Sequence, residues 1–321
     1  MDIIAQVLEG NRLALSRLLT LIENDLPDGR SALDELFLHT GKAYIIGITG
    51  PTGSGKSTLV NHLALELAHP SGKSESQSVA IVAVDPSSPF TGGALLGDRV
   101  RMRDLMEHPE IFIRSMATRG ALGGLARATN EIILALDAGG FNVILVETVG
   151  AGQSEVDIAR LAHTTIVVEA PGLGDDIQAA KAGILEIADI LVVNKADKSG
   201  ADSAARSLSA MLKIGEESAL DLKNSNNTSW NVPVLKTSAL YREGIEKLAD
   251  TIQQHHQYLL ESKEWERRSR SRIRDMLERL LRERLFSDWV NLQQNNGYED
   301  LIERVYHRQI SPHQALQRFF S

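Results

Sequence analysis

Between residues 44 and 235 the chain alternates short apolar runs with stretches whose apolar residues recur every three or four positions. The runs are 44–49, 79–84, 111–113, 143–146, 165–169, 190–193 and 232–235. Most lack the polar alternation of a half-exposed strand, so they read as strands buried on both faces. That pattern predicts an α/β fold with a mostly parallel, doubly wound sheet wrapped by helices. Before it, Ile3, Ile4, Val7 and Leu8, then Leu15, Leu18, Leu19 and Ile22, fall at helical spacing. Gly10-Asn11 and Leu26-Pro27-Asp28-Gly29 read as breaks, and Ser31 as the cap of a third helix. After about Glu243 no strand signal remains. Ile273, Met276, Leu277, Leu280, Leu281 and Leu285 form a helical stripe, and Ser311-Pro312 suits the start of a last short helix. The expected organisation is a helical extension over 1–41, a nucleotide-binding domain over 42–259 and a helical segment over 260–321. The last cannot bury its stripe alone.

Composition narrows the chemistry. The 321 residues carry a net charge of −8, which argues against a protein that coats nucleic acid. There are no cysteines, which excludes disulfide scaffolds, thiolate metal sites and thiol nucleophiles. Acids at Asp2, Glu9, Glu23 and Asp25 speak against a signal or transit peptide, and no apolar run is long enough to span a bilayer. A cytoplasmic enzyme or regulator is expected.

Gly50-Pro51-Thr52-Gly53-Ser54-Gly55-Lys56-Ser57 matches G-x-x-x-x-G-K-[ST] at every fixed position, between a predicted strand and a helix that continues through Thr58. Such a loop turns backbone N–H groups around phosphate oxygens at a helix N-terminus, whose dipole favours anions. Lys56 supplies a cation for the β- and γ-phosphates, and the Ser57 hydroxyl is placed to bind Mg²⁺. The loop predicts a nucleoside triphosphate and is silent about the base.

The base is read elsewhere. The run 190–193 ends in Asn194-Lys195-Ala196-Asp197. An N-K-x-D after a late strand of such a domain selects guanine. One carboxylate accepts from both N1–H and the exocyclic amine, and adenine would leave a buried Asp197 unpaired. Lys195 can lie along the base plane, and Asn194 can tie this loop to the phosphate cradle. Thr237-Ser238-Ala239-Leu240 follows the next predicted strand and suits a second guanine-contacting loop. GTP, with GDP as product, is the expected ligand.

Three acids stand where a magnesium site would be built: Asp85 and Glu147 at strand ends, and Asp98 in Leu96-Gly97-Asp98-Arg99. Carboxylates at the C-terminal ends of parallel strands face the ligand crevice. Mg²⁺ takes only one or two of them beside Ser57, phosphate oxygens and water, and Asp98 also suits a helix cap. With Lys56, these acids make up the candidate catalytic set.

The blocks ETVGAGQSE (147–155), DPSSPFTGGALLGDRVRM (85–102), TRGALGG (118–124) and PGLGDDIQAAKAG (171–183) resemble the MeaB/ArgK-type GTPases, in order, from about residue 42 to 245. The resemblance implies a Mg²⁺-dependent GTPase that chaperones adenosylcobalamin-dependent methylmalonyl-CoA mutase. It would gate cofactor loading, protect or rescue the mutase, and form a homodimer through its C-terminal helices. It also implies magnesium and catalytic roles for Asp85, Asp98 and Glu147, and a switch loop around Asp175 and Lys181. Glu147 stands where Ras-like proteins have Asp, and Ala151 where they keep a catalytic Gln. Gln153 lies two residues further on, so slow intrinsic turnover is expected. Ser115-Met116-Ala117-Thr118-Arg119 stands where the family commonly has a Pro-Ser-rich stretch; Arg119 suits a phosphate contact or an exposed loop.

Two other readings stay open: a P-loop kinase that passes the γ-phosphate to a small molecule or protein, and a metal-inserting GTPase. His255-His256 suits half of a metal site, although the missing cysteines weaken the second reading. His62 and His163 read as structural. The eight arginines of 266–284 are interleaved with Glu266, Asp275, Glu278 and Glu283 and read as a solvated helix face rather than a nucleic-acid surface.

Overall fold

The computed structural model describes residues 2–71, 76–85, 105, 107–117, 124–148, 154–172, 185–220, 230–293 and 298–319. Seven strands form one sheet: β1 (Tyr44–Thr49), β2 (Val79–Asp85), β3 (Ile111–Ala117), β4 (Val143–Thr148), β5 (Thr164–Glu169), β6 (Ile190–Val193) and β7 (Val234–Lys236). Their order is β3-β2-β4-β1-β5-β6-β7, and every pairing between them is parallel. All the strands therefore end on the same side. In the strand order the ends of β4 and β5 flank that of β1, the place where such sheets bind ligands.

Alternate residues of one strand serve opposite faces of the sheet. Ile45, Ala80, Val82, Ile144 and Val146 pack with helices α1 (Ile3–Leu8), α2 (Arg12–Glu23), α3 (Pro27–Leu36), α5 (Gly124–Ala138) and α6 (Ser154–Leu161). Tyr44, Ile46, Ile48, Ile81 and Leu145 pack instead with α4 (Lys56–Ala68) and α8 (Ile245–Glu261). A smaller cluster seats α7 (Ala201–Leu220) on β5 and β6 through Val167, Leu191, Val193 and Leu208. Both faces are dry, which is why the strand sequences show no polar alternation.

Two local expectations are corrected. Helix α3 begins at Pro27, with Leu26 as N-cap, so Ser31 is interior and caps nothing. Proline at the first helical position loses no hydrogen bond and is pre-set at helical φ. Strand β3 runs past Ile113 to Ala117 although it contains Arg114, whose guanidinium donates to Glu23 Oε2 of α2 at 2.5 Å. On this edge strand the ion pair accommodates a charge that the apolar pattern alone would exclude.

The chain divides into two compact units, residues 1–269 and 270–321. Helix α9 (Glu264–Gln293) starts in the first and continues in the second, which also holds α10 (Tyr298–Tyr306) and α11 (Pro312–Phe319). In α11 the Ser311 hydroxyl accepts from Gln314 N at 3.1 Å while Gln314 Oε1 accepts from Ser311 N at 2.9 Å, a reciprocal cap. On α9, Arg282 pairs with Glu278 and Arg284 with Asp288, one turn apart, as a solvated helix face does, whereas Arg268 departs from that expectation and pairs with Asp189.

Candidate nucleotide site

The Gly50–Ser57 loop joins β1 to α4, and two of its glycines are forced by geometry. Gly50 has φ +136°, and a Cβ there would sit 2.1 Å from Val168 O of β5. Gly55 has φ +90° as the N-cap of α4, and a Cβ would lie 2.5 Å from Asn194 Nδ2. Any side chain at either point would collide with the neighbouring strand end. Ser54 and Lys56 are buried, whereas Thr52, Gly53 and Thr58 are exposed. Lys56 Nζ donates to Gly50 O at 2.8 Å and to Pro51 O at 3.0 Å, so its ammonium spans the mouth of the loop.

The Ser57 hydroxyl donates to Glu147 Oε1 at 2.7 Å. Glu147 is buried near the end of β4, in register with Ile48 of β1, which places its carboxylate beside the loop. One residue further, the Thr148 hydroxyl donates to Thr49 Oγ1 at 2.9 Å and ties the two strand ends together. Asp85 closes β2, the other neighbour of β4; its side chain lies outside the described part of the molecule. Asp98, Arg119, Gln153, Asp175 and Lys181 lie outside the described residues. A serine hydroxyl and a carboxylate oxygen are hard donors of the kind Mg²⁺ prefers, so the described pair fits that ion at the phosphate end of the loop.

On the other side of β1, the strand ends of β6 and β7 meet the loop through Asn194, which is 1% exposed. Its Nδ2 donates to Ser54 O at 2.9 Å, and its Oδ1 accepts from Ala239 N at 3.1 Å and from the Thr237 hydroxyl at 3.2 Å. One amide thus joins the phosphate loop, the N-K-x-D turn and the 237–240 loop. Lys195, in the left-handed region at φ +57°, lays its side chain back so that Nζ donates to Gly53 O at 2.5 Å. Ala196 N donates to Thr237 O at 2.9 Å and aligns the two loops. The Ser238 hydroxyl donates to Asp197 Oδ1 at 2.5 Å, and chiefly this bond holds the carboxyl below its usual range, helped by Lys198 and Lys195. Asp197 is exposed rather than buried as expected, so a bound base would itself have to cover the carboxylate. In the second loop Ala239 is buried and Leu240 is 73% exposed.

Sequence reasoning missed a second polar cluster, at the opposite, N-terminal ends of the strands. Asp189, just before β6, accepts from Thr165 N at 2.8 Å and receives both Arg268 amino groups at 2.8 Å each. The His255 ring is fully buried; its Nδ1 shares a proton with the Thr164 hydroxyl at 2.7 Å, and its Nε2 lies 3.4 Å from Asp189 Oδ1. Burial pushes the His255 pKa down from 6.5 to about 4 against the pull of Asp189. His256 stacks on Tyr44 at 4.2 Å between centroids, so the His255-His256 pair makes packing and hydrogen-bonding contacts instead of half a metal site. His163 is structural: its Nδ1 accepts from Ile45 N at 3.1 Å, and its ring stacks on Trp265 at 3.7 Å.

Among known proteins, the family model described as methylmalonyl-CoA mutase-associated GTPase MeaB matches residues 15–294. A candidate GTPase of Pyrococcus abyssi is 44% identical over 98% of this chain and 94% of its own length. The methylmalonic aciduria type A homolog of Caenorhabditis elegans, a mitochondrial protein, is 30% identical over 88% of this chain and 72% of its own. A crystal structure of a LAO/AO transport system kinase superposes with a TM-score of 0.70 at 26% identity, over 99% of this chain and 95% of that one. The match spans both strand-end loops of the site as well as the helices around them. The chain belongs to the MeaB family of P-loop GTPases, binding guanine nucleotide and hydrolysing GTP.

Proposed function

We propose that this GTPase is Mg²⁺-dependent and serves as a chaperone of an adenosylcobalamin-dependent methylmalonyl-CoA mutase, gating cofactor loading and protecting or reactivating the mutase. The cytosol is the proposed compartment. The observation that carries the nucleotide half of this reading is Asn194. Through one buried amide, whatever holds the guanine is held in register with whatever holds the phosphates. The partner half rests on the description of the family whose model matches most of the chain.

In this reading the phosphates enter between Lys56 and the backbone N–H groups of the loop. Lys56 Nζ exchanges the carbonyl oxygens of Gly50 and Pro51, which it now contacts, for β- and γ-phosphate oxygens. Ser57 and Glu147, with Asp85 and Asp98, are the proposed holders of Mg²⁺. The ion, when bound, neutralises charge developing on the phosphate oxygens. Asp197 accepts from guanine N1–H and the exocyclic amine, while Ser238, Ala239 and Leu240 line the other side of the base. Water attacks the γ-phosphorus, the bond to the bridging oxygen breaks, and GDP departs with its electron pair. Gln153, Asp175 and Lys181 are proposed to couple this event to the mutase.

A homodimer through residues 260–321 accounts for the tail. Ile273, Leu277, Leu280, Leu281 and Leu285 lie at helical spacing on α9 and are each at least 42% exposed in the single chain. A contiguous apolar stripe of this kind marks an association surface. Among the described residues no helix is long and apolar enough to cross a membrane.

The kinase name of the crystallised neighbour keeps a second reading in view, in which the γ-phosphate passes to a small acceptor. A pull-down with purified mutase in the presence of GDP or a non-hydrolysable GTP analogue tests the first reading. A complex whose affinity depends on the nucleotide supports it. No complex in either state, together with phosphate transferred to arginine, would replace it with the second.

A further inference from the structure

We propose that His69, His108 and Glu110 form a binding site for a divalent transition-metal ion, at the end of α4 remote from the phosphate loop. The inference does not depend on the functional reading above. Each of the three offers one ligand atom, a ring nitrogen or a carboxylate oxygen, and these atoms all lie within 4.8 Å of one another. The His69 and His108 rings are 5.8 Å apart between centroids, and His69 Nε2 is in contact with Glu110 Oε1.

The backbone beneath these side chains is held at every ligand. His69 is the C-cap of α4, and its N–H donates to Leu65 O at 2.9 Å. His108 N donates to Leu105 O at 3.2 Å, on a leucine that is 1% exposed, and His108 O accepts from Ile111 N at 3.0 Å. Glu110 O accepts from Val79 N at 3.0 Å, at the start of the paired strands β2 and β3. Three ligands converge from the end of α4 and from the turn that enters β3, each on hydrogen-bonded backbone.

The donor set states the ligand class. Two imidazoles and one carboxylate suit Zn²⁺, Co²⁺ or Ni²⁺, with water completing the shell; Mg²⁺ prefers oxygen alone. Helix α4 runs from Lys56 to Ala68, so at 1.5 Å per residue the site stands about 20 Å from the phosphate loop. An ion there would clamp the far end of α4 to the entry of β3. The site is therefore separate from the nucleotide's own Mg²⁺.

The test is a titration of metal-stripped, nucleotide-free, tag-free protein with Co²⁺, followed by its visible d–d absorption and by calorimetry. We expect one equivalent with an intense low-symmetry spectrum, displaced by Zn²⁺ and unmoved by excess Mg²⁺. His69→Ala and His108→Ala should each weaken binding by at least about 100-fold, and Glu110→Gln by about 10-fold, judged against the general sensitivity of metal sites to their surroundings. His307→Ala, on the exposed face of the second unit, should change nothing. His69 is itself exposed, so its variant keeps the test valid if His108→Ala fails to fold. Absence of a stoichiometric Co²⁺ site, or a spectrum that survives in both histidine variants, would overturn the proposal. The second outcome would place the ion elsewhere in the protein.

Discussion

Asn194→Ala removes the side chain on which three loops converge. The deleted amide makes three hydrogen bonds of ordinary length, to Ser54 O, from Ala239 N and from the Thr237 hydroxyl, at 2.9, 3.1 and 3.2 Å. At about 1 kcal/mol net for each, and with partners that are themselves buried, the expected loss of stability is about 3 kcal/mol. The nucleotide should feel it more sharply. With the bridge gone, the Gly50–Ser57 loop and the Asn194–Asp197 turn lose their common register, and a ligand gripping both must supply the ordering itself. We expect GDP affinity to fall by at least about 10-fold, equivalent to about 1.4 kcal/mol. Asn194→Asp separates the two ends of the amide. It keeps the acceptor for Ala239 and Thr237 but faces the Ser54 carbonyl with a carboxylate oxygen, close to where phosphates bind. It should therefore retain more of the stability than the alanine variant yet bind GDP no better. Urea unfolding followed by circular dichroism, and calorimetric titration with GDP, give the two numbers. An alanine variant within about 0.5 kcal/mol of wild type, the range of an ordinary surface substitution, and with unaltered GDP affinity would refute the bridge as the organiser of the site.

The remaining predictions are of different kinds. Lys56→Ala should abolish hydrolysis in a phosphate-release assay; measurable turnover at the wild-type rate would remove Lys56 from the phosphate site. Asp197→Asn should weaken GTP binding and narrow the gap between GTP and other purine triphosphates in competition titrations, and normal GTP affinity would show that the base is read elsewhere. His255 carries a pH signature. Its pKa in the folded chain is about 4 against an ordinary 6.5, so between those values the unfolded chain binds a proton that the folded chain does not. Stability should therefore rise with pH across that window, and be lost as pH falls through it, at up to about 1.4 kcal/mol per unit. His255→Gln should flatten that segment of a stability-versus-pH curve; an unchanged slope would assign the effect to other groups.

What could be read from the sequence, and what could not, follows from the range over which each signal acts. The strands of the sheet centre announced themselves because burial on both faces leaves uninterrupted apolar runs, as in 44–49 and 190–193. Where a tertiary partner substitutes for a local rule, the reading fell short. Strand β3 continues through Arg114 because Glu23, 91 residues earlier, meets the charge. Pro27, read as a break, opens a helix because only its position relative to the first turn decides which it does. At the site, the sequence placed Lys56 and Ser57 at the start of the helix after β1, and Glu147 and Asn194 at strand ends, since motif spacing follows from loop geometry. It did not disclose that Asp197 would be exposed, which depends on how far the turn stands out from the sheet. Apart from the His255-His256 pair, the Asp189–Arg268–His255–Thr164 cluster and the His69–His108–Glu110 group had no local signature. Each joins segments far apart in the chain, Thr164 to His255 in the first and His69 to the His108–Glu110 turn in the second, and they meet only in the folded chain.

The most direct test of the account is the rate at which purified protein releases phosphate from GTP, measured alone and then with methylmalonyl-CoA mutase added in excess. Slow turnover alone, marked acceleration by the mutase and phosphate released to water are expected. Fast hydrolysis by the isolated chain with no response to the mutase, or phosphate recovered on a small acceptor, would contradict it.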